Sequence, residues 1–291
     1  MERMGFVNII KPTGMTSSDV VIKIKKMLNT KRVGHLGTLD PAASGVLPVA
    51  VGKATKFFDY FLKKDKVYYA VVEFGIETDT LDSFGNITNI DNNVYVSESD
   101  ILKVLPKFIG EIYQIPPKFS AKKVGGKKAY ELARENINFE LKPKKLTIFD
   151  IKLIKKCEKN RFLFKVHCEA GTYIRSLFES IAKELKTLST TTVIIRTKSG
   201  LFDNKTATTL EDFEAKKELI QVEKIFENYQ TISVKGELAK KILNGVKVCL
   251  DEFESQTKQK TENEFLIKFE DKLVGLYHVE SDKVEPLVFL Y

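Results

Sequence analysis

Gly34-His35-Leu36-Gly37-Thr38-Leu39-Asp40-Pro41 is the segment from which the rest of this 291-residue chain is best understood. Two glycines and a proline within eight residues predict a shaped loop rather than a helix or a strand. An aspartate followed by proline in such a loop is most often a turn residue. Before the loop, the apolar run 6–10 predicts a strand, and apolar residues at helical spacing behind the hydroxyls of Thr16 and Ser17 predict a helix over 17–29.

The rest of the chain divides into short elements of mixed type. Alternating apolar and polar residues predict strands, and apolar residues at a helical period predict helices. We expect strands at 67–74, 145–156 and 161–169, helices at 97–109, 129–134 and 173–185, a polar turn region at 77–85 and an extended basic loop at 114–128. In the tail we expect strands at 231–234, 264–269, 273–279 and 288–291, a helix at 236–243 and a polar segment at 250–263.

Composition limits the class of protein. Lys and Arg number 47 against 39 Asp and Glu, so the formal charge is +8, which favours a polyanionic partner such as nucleic acid. The balance of 43% hydrophobic and 30% charged residues excludes a disordered chain. No apolar run approaches the roughly 18 residues of a membrane span, and the first residues lack a secretion signal. Three cysteines without C-x-x-C spacing argue against disulfides or structural zinc, so we expect a cytoplasmic protein.

Common catalytic motifs are absent from the sequence, which contains no Walker loop, no glycine-rich dinucleotide loop, no H-E-x-x-H pair and no serine elbow. The remaining candidates for chemistry are Asp40 and the arginine of Gly171-Thr172-Tyr173-Ile174-Arg175. Taken alone, each has an ordinary explanation, Asp40 as a turn residue and Arg175 as a surface charge on a helix. Their interpretation therefore depends on the pattern of the whole chain.

An ordered series of motifs changes the interpretation. Lys11-Pro12-Thr13-Gly14-Met15-Thr16-Ser17 resembles the opening motif of the bacterial tRNA pseudouridine-55 synthases, the TruB family, and the segment around Asp40 resembles their catalytic motif. Matches to further motifs of that family follow in order at Gly52-Lys53-Ala54-Thr55-Lys56, at Lys66-Val67-Tyr68, at Thr78-Asp79-Thr80 with Asp82, from Gln114 to Lys123 and on to Arg134, from Gly171 to Leu177, and at Arg196-Thr197-Lys198-Ser199-Gly200. The series covers residues 5–202.

The resemblance implies a fold and a domain division. It implies an α+β protein whose catalytic domain, residues 1–228, is built on a mixed, largely antiparallel sheet and carries an RNA-gripping insertion at about 114–140. The tail, residues 229–291, resembles a small β-rich RNA-binding module of the PUA type. A generic β-rich cap on the catalytic domain is the alternative interpretation of this tail.

The resemblance also implies the reaction and its catalytic residues. The family isomerises uridine to pseudouridine at position 55 in the T-arm of tRNA, without a cofactor or metal, and a tRNA-folding activity is compatible with it. By resemblance Asp40 is the essential carboxylate, Arg175 is its ion partner and Tyr68 stacks on the target uracil. A guanidinium favours the charged form of a neighbouring carboxylate and orients it through two hydrogen bonds, which lysine cannot copy.

The order of the chemical steps stays open at the level of the sequence. Asp40 can attack the ribose, attack the uracil ring or remove a proton from the ribose. Among these routes we favour one through a glycal-like sugar intermediate.

RNA contacts form the second group of expected site residues. The resemblance assigns substrate or RNA contacts to His35, Tyr173, Ile194, Lys11, Arg196 and Lys123. The target base is stacked in a folded arm of the tRNA, so the enzyme must extrude it. Phosphate contacts are expected from basic residues of the first helix, of the segment after it and of the basic loop: Lys23, Lys25, Lys26, Lys31, Arg32, Lys122, Lys123, Lys127 and Lys128. The expected partner is therefore the T-arm of tRNA, bound by a monomer that needs neither a membrane nor a protein partner.

Two positions depart from the family pattern, and two other functions stay open. Ser180-Ile181-Ala182 stands where the family has Asp-Leu-Gly, and Ile195 stands where it usually has a second arginine. A non-catalytic RNA-binding protein that helps tRNA to fold would use the same basic segments but would not need the three catalytic residues. The same chemistry on another RNA, guided by protein partners, is disfavoured by the insertion, which is a grip typical of a stand-alone enzyme.

Overall fold

The computed structural model describes residues 3–135 and 137–291 of the chain. Over these residues the strands are β1 Gly5–Lys11, β2 Val33–His35, β3 Ser44–Val51, β4 Lys66–Phe74, β5 Ile76–Thr78, β6 Ile87–Ile90, β7 Gly110–Gln114, β8 Lys123–Val124, β9 Lys127–Lys128, β10 Lys144–Glu158, β11 Arg161–Cys168, β12 Ser189–Ser199, β13 Phe202–Asp203, β14 Gln230–Ser233, β15 Val248–Cys249, β16 Glu264–Phe269, β17 Lys272–Glu280 and β18 Lys283–Phe289.

The helices lie between these strands. They are α1 Ser17–Leu28, α2 Phe58–Leu62, α3 Glu98–Val104, α4 Ala129–Arg134, α5 Ile174–Glu184, α6 Leu210–Lys216, α7 Val222–Ile225, α8 Gly236–Leu243 and α9 Leu250–Thr257, with 3₁₀ turns at Gly52–Phe57 and Leu105–Phe108. No helix within the described ranges is long and apolar enough to cross a membrane.

One large mixed sheet organises the N-terminal part of the protein. Its strands follow the order β1-β3-β12-β4-β11-β10-β7, with β2 beside β3 and β13 beside β12. In the part of the chain that the structure describes, the pairing of β12 with β3 is the parallel one in this sheet, and the others are antiparallel. The expected α+β class with a mixed, largely antiparallel sheet is confirmed.

The centre of this sheet follows from alternating sequence. Strands β4 and β11 bury every second residue, and α5 packs on the buried face, where the rings of Phe164 and Phe178 lie 4.8 Å apart. The departure from the family pattern at 180–182 does not disturb this packing, because Ile181 is 0% and Ala182 1% exposed. The sheet and α5 therefore form the rigid floor on which the loops are mounted.

Helix α1 has strong end signals. The Thr16 hydroxyl accepts a hydrogen bond from the Asp19 N–H, and the Asp19 carboxylate accepts one from the Thr16 N–H, which is a capping box. Asn29 ends the helix in the left-handed conformation, at φ 48°. These signals make Ser17 the first residue of the helix. The Ser17 hydroxyl in turn binds the backbone of Leu39, next to Asp40.

A second sheet begins at β14 and follows the order β14-β16-β17-β18-β15. Its Leu266 and Leu276 belong to the same buried cluster as Phe6 of β1. The Tyr60 hydroxyl donates a hydrogen bond of 2.7 Å to the Glu264 carboxylate of β16. The two sheets are therefore joined by a shared apolar core and a polar contact.

Most elements predicted from the sequence are confirmed, including the boundaries of α4 and α8. The helix predicted at 97–109 ends as α3 and continues as a 3₁₀ turn where Pro106 interrupts it. The last strand begins at Lys283 rather than 288; it tolerates Pro286 because this residue lies at an irregularity in the pairing with β17. The polar segment 250–263 contains α9, which was not predicted. Phe253 is the buried residue of this helix, and one apolar position gives too little periodicity to predict a helix.

Candidate active site

The loop 36–43, which we call the Asp40 loop, leaves β2 and enters β3. Ser17 fixes it at the residue before Asp40, because the Ser17 hydroxyl accepts from the Leu39 N–H at 2.9 Å and donates to the Leu39 carbonyl at 3.0 Å. The Ala43 N–H donates to the Asp40 carbonyl at 3.1 Å. The backbone is thus held on both sides of Asp40, while its side chain is 33% exposed.

Asp40 is paired with Arg175, which lies 135 residues away in the sequence. The Arg175 Nε donates to Oδ2 of Asp40 at 2.9 Å, and Nη2 lies 2.7 Å from the same oxygen. No group in the described ranges donates to the other oxygen, Oδ1. The guanidinium therefore holds the carboxylate through one oxygen and leaves the second one for chemistry.

Arg175 also joins the neighbouring loops. It donates from Nη1 to the Thr80 carbonyl at 2.7 Å and from Nη2 to the Phe119 carbonyl at 3.1 Å, and its side chain is only 3% exposed. The Arg175 Nε lies 3.6 Å from a second carboxylate, that of the buried Asp82. The sequence motif at 78–82 contains Asp82 but does not indicate a role for it. The contact with Arg175 joins distant parts of the chain, so the local sequence does not reveal it.

Tyr68 lies directly opposite Arg196 in the pairing of β4 with β12. Directly opposed residues point to the same face of a sheet, and Ile194, two residues before Arg196, shares that face. Tyr68 is 8% and Ile194 5% exposed. Burial raises the pKa of the Tyr68 phenol, while Arg196 acts in the opposite direction. The phenol is therefore protonated at neutral pH and can donate a hydrogen bond.

Arg196 is buried beneath the Asp40 loop, at 1% exposed. It donates from Nη2 to the Gly37 carbonyl and from Nη1 to the Thr38 carbonyl, both at 3.1 Å, and from Nε to the Val46 carbonyl at 2.8 Å. The RNA contact predicted for Arg196 stays a prediction. The geometry favours a role in supporting the loop.

Two buried lysines lie near this arginine. Lys11 is 0% exposed and donates to the carbonyls of Pro12 and Met15 at 2.8 and 2.6 Å. Lys66 donates to backbone carbonyls of the turn before β4. Burial, with a contribution from Arg196, lowers the pKa of each lysine to about 8, and at Lys11 the charge of Asp40 opposes the shift. Lys11 therefore lies under the site rather than on its surface.

The other predicted contact residues lie in different settings. His35 pairs with Val49 of β3, and burial followed by the charge of Arg196 lowers its pKa, so the imidazole is neutral at pH 7. Tyr173 is the N-cap of α5, and burial raises the pKa of its phenol. Lys123 is exposed on the hairpin of β8 and β9. The structure thus brings Asp40, Arg175 and Tyr68 to one region and leaves Lys123 on the insertion.

One cluster in the described part of the chain has the donor set of a metal site. The ligand atoms of His278, Glu280 and Glu285 lie within 4.8 Å of one another in the second sheet. The Glu285 carboxylate is already paired with the ammonium group of Lys247. This cluster belongs to the second sheet, whereas Asp40 lies in a loop of the first, and the pairing of Glu285 with a cation does not favour a metal ion.

Comparison with known proteins adds to this geometry. The family model "TruB family pseudouridylate synthase (N terminal domain)" matches residues 25–174. Over 282 residues the chain is 41% identical to tRNA pseudouridine synthase B of Clostridium kluyveri, covering 96% of this chain and 93% of the relative. It is 40% identical over 285 residues to the protein of that name from Caldanaerobacter subterraneus, covering 97% of both chains.

Solved structures with the same fold extend over the whole chain. The structure of a Cbf5-Nop10-Gar1 complex matches with a TM-score of 0.72 at 28% identity, covering 99% of this chain and 85% of the other. An H/ACA RNP bound to a substrate RNA containing 2′-deoxyuridine matches with a TM-score of 0.68 at 25% identity, with the same two coverages. The similarity includes the second sheet as well as the catalytic region.

Proposed function

The chain belongs to the TruB family of pseudouridylate synthases, and from this premise we propose that it isomerises uridine 55 in the T-arm of tRNA to pseudouridine. The relatives named tRNA pseudouridine synthase B support tRNA as the substrate. The observation that carries the proposal is the Asp40 carboxylate, which a buried arginine holds through one oxygen only.

The reaction is an isomerisation, so its atoms and electrons balance within the substrate. The bond between uracil N1 and ribose C1′ breaks, the ring turns, and a bond between C5 and C1′ forms, while C5 loses a proton and N1 gains one. Asp40 supports this by attack on the ribose, by attack on the uracil ring, or by removing a ribose proton to give a glycal-like intermediate, the route that we favour. In each case the free oxygen, Oδ1, is the reacting atom.

Tyr68 and Ile194 are proposed to hold the extruded base. An aromatic ring stacks on a splayed uracil, and an apolar side chain supports its other face. Extrusion costs about a few kcal/mol of stacking energy, which contacts in the pocket offset. His35, neutral and half-buried beside the Asp40 loop, is assigned to RNA contact in the space that the nucleotide leaves, and Tyr173 to the wall of the pocket.

RNA binding is proposed to involve two parts of the chain. We assign residues 1–228 to the catalytic domain, with Lys123 in its RNA-gripping insertion at 114–140, and residues 229–291 to a PUA-like RNA-binding domain. Lys11 and Arg196 contribute from beneath by supporting the backbone around Asp40. We propose that the protein acts on tRNA as a monomer in the cytoplasm, without a protein partner or cofactor.

A tRNA-folding activity is a second candidate function. The exposed lysines of α1 and of the insertion favour it, because phosphate contacts position RNA without regard to the reaction. Such an activity does not depend on the carboxylate of Asp40. The two functions are therefore separable by a single substitution.

The test uses a tRNA transcript and the same transcript with cytidine at position 55. We expect wild-type protein to modify the first transcript and not the second. Asp40→Asn keeps the size of the side chain but removes its charge, so the rate should fall by about 10⁴-fold. The exposed Asp59 on α2 offers the matched control, and Asp59→Asn should retain the rate.

Three outcomes separate the parts of the proposal. Pseudouridine formation by Asp40→Asn at the wild-type rate would contradict the catalytic assignment. Modification of the cytidine-55 transcript would contradict the T-arm position. If Asp40→Asn still refolds misfolded tRNA, the result supports a tRNA-folding activity that is independent of the reaction. If this variant no longer refolds tRNA, the result argues against such an independent activity.

A further inference from the structure

Gln114, the last residue of β7, is a buried amide whose two polar atoms both bind one backbone unit. Its Nε2 donates to the Tyr173 carbonyl at 3.0 Å, and its Oε1 accepts from the Tyr173 N–H at 2.8 Å. The side chain is 3% exposed. An amide holds its donor NH₂ group and its acceptor oxygen in fixed geometry. The pair of hydrogen bonds to one residue therefore fixes both the position and the direction of the backbone there.

The residue that Gln114 holds is the N-cap of α5. Tyr173 makes no capping hydrogen bond with its own side chain, so the start of this helix lacks the usual local anchor. Arg175 is the second residue of the helix, and its guanidinium makes the contacts to Asp40. The Gln114 amide, at the end of β7, therefore restrains the start of α5. This restraint sets the position of the Arg175 backbone, from which the side chain extends.

The chain that follows Gln114 returns to the same arginine. The Phe119 carbonyl accepts from Arg175 Nη2 at 3.1 Å. One residue later, the Ser120 carbonyl accepts from the Tyr130 N–H of α4 at 3.0 Å. The base of the insertion is thus tied to the start of α5 at two points, to the Tyr173 backbone through Gln114 and to the Arg175 guanidinium through Phe119.

We propose that Gln114 is a positioning residue that aligns Arg175, and through it Asp40, from the base of the RNA-gripping insertion. This inference rests on the proposed function, because it concerns the rate of the same reaction. Among the described residues, the hydrogen bonds of the Gln114 amide go to the Tyr173 backbone and none goes to Asp40. Its loss shifts the guanidinium relative to the carboxylate, and a misplacement of about 1 Å in a reacting group can cost up to about 100-fold in rate.

The test is Gln114→Met, which keeps the length of the side chain and removes both hydrogen bonds. We expect kcat on the tRNA transcript to fall between about tenfold and 100-fold. The Kd for tRNA, measured by filter binding at one fixed salt concentration, should stay within about twofold, because the exposed basic residues are unchanged. Thermal unfolding is followed in parallel to correct the rate for the folded fraction.

The chain offers a matched control in Asn160, another buried amide that binds backbone on both atoms. Its Oδ1 accepts from the Val96 N–H at 3.0 Å, and its Nδ2 donates to the Val94 carbonyl at 2.9 Å. Asn160 lies at the turn between β10 and β11, at the opposite end of the β4–β11 pair from Tyr68. Asn160→Leu should lower the melting temperature at least as much as Gln114→Met and leave kcat unchanged.

The outcomes are distinct. An unchanged kcat in folded Gln114→Met, or a fall equal to that of Asn160→Leu, overturns the positioning role while leaving the proposed function intact. A weaker Kd for tRNA with an unchanged kcat also overturns the positioning role. In that case the Gln114 amide would order the RNA-gripping insertion rather than Arg175. An inactive wild-type protein overturns both proposals together.

A second variant keeps the inference falsifiable if Gln114→Met fails to fold. Gln114→Asn retains an amide that is one methylene shorter, so it reaches one of the two backbone groups at Tyr173. We expect a several-fold fall in kcat with Kd unchanged. A wild-type kcat in this variant counts against the positioning role.

Discussion

Two buried arginines lie at one site and differ in the groups to which they donate hydrogen bonds. Arg175 lies against the carboxylates of Asp40 and Asp82. Arg196, within the described residues, makes no ion pair and donates instead to carbonyls of the Asp40 loop and of β3. The same side chain therefore orients a reactive group in one position and fixes the backbone of a loop in the other.

The difference extends to the neighbouring titratable groups. The charge of Arg196 adds to burial in lowering the pKa of His35, Lys11 and Lys66. Charges that lack a counterion act over longer distances in a buried region, where screening is weak. In the proposed function Arg175 orients the catalytic carboxylate, whereas Arg196 supports the Asp40 loop and places a positive charge near Tyr68.

Of the substitutions that compare the two arginines, Arg175→Lys has the largest expected effect, and it acts on activity. An ammonium is a point charge that cannot reach Asp40 and the carbonyls of Thr80 and Phe119 together. We expect kcat to fall by about 10³-fold, or about 4 kcal/mol in the barrier. Arg161→Lys, at a surface arginine paired with Glu73, should leave kcat unchanged. A rate within tenfold of wild type would mean that charge alone suffices at this position.

Arg196→Met should act chiefly on stability. Removing the guanidinium takes a donor from three backbone carbonyls, two of them in buried hydrogen bonds, and we expect the free energy of unfolding to fall by about 3 kcal/mol. Urea unfolding at pH 7 measures this loss. Arg161→Met removes two partly exposed ion pairs and should cost about 1 kcal/mol or less. Equal losses in the two variants would contradict the supporting role of Arg196.

An effect of similar size, confined to alkaline pH, is expected at Lys66. Its pKa is about 8 in the folded protein against 10.5 in the unfolded chain, so between these values the unfolded chain binds more protons and stability rises with pH. The cost of the buried charge is present below pH 8 and is relieved towards pH 10.5 by about 3 kcal/mol. Lys66→Met lacks this contribution but keeps the similar one of Lys11, whose pKa is also about 8. A difference in unfolding free energy between the two proteins that stays constant from pH 7.5 to 10.5 would contradict the assignment.

Local signals in the sequence predict the elements of this fold well. The capping residues of α1, the alternation in β11 and the helix over 129–134 depend on neighbours within a few residues, which a sequence shows directly. No strand was predicted for β3, β7 or β12, and two further elements differ where local signals are weak. Helix α9 has few apolar residues, and β18 contains a proline that only its partner strand explains.

The candidate site was predictable only in part. Asp40 and Arg175 lie 135 residues apart, and no periodicity links them, so their pairing was expected from the resemblance alone. Asp82 and Gln114 were visible within motifs, but a polar residue in a turn or at the end of a strand has no distinctive local pattern. Their contacts arise from the packing of loops from distant parts of the chain around α5.

The pairing of Asp40 through a single oxygen has a stereochemical consequence. Two guanidinium nitrogens of the buried Arg175 contact Oδ2, so a rotation that exchanges the two carboxylate oxygens would break both contacts. Under the proposed function, the same oxygen, Oδ1, then faces the nucleotide both before and after the glycosidic bond changes. Reorientation during the proposed reaction is in that case confined to the uracil.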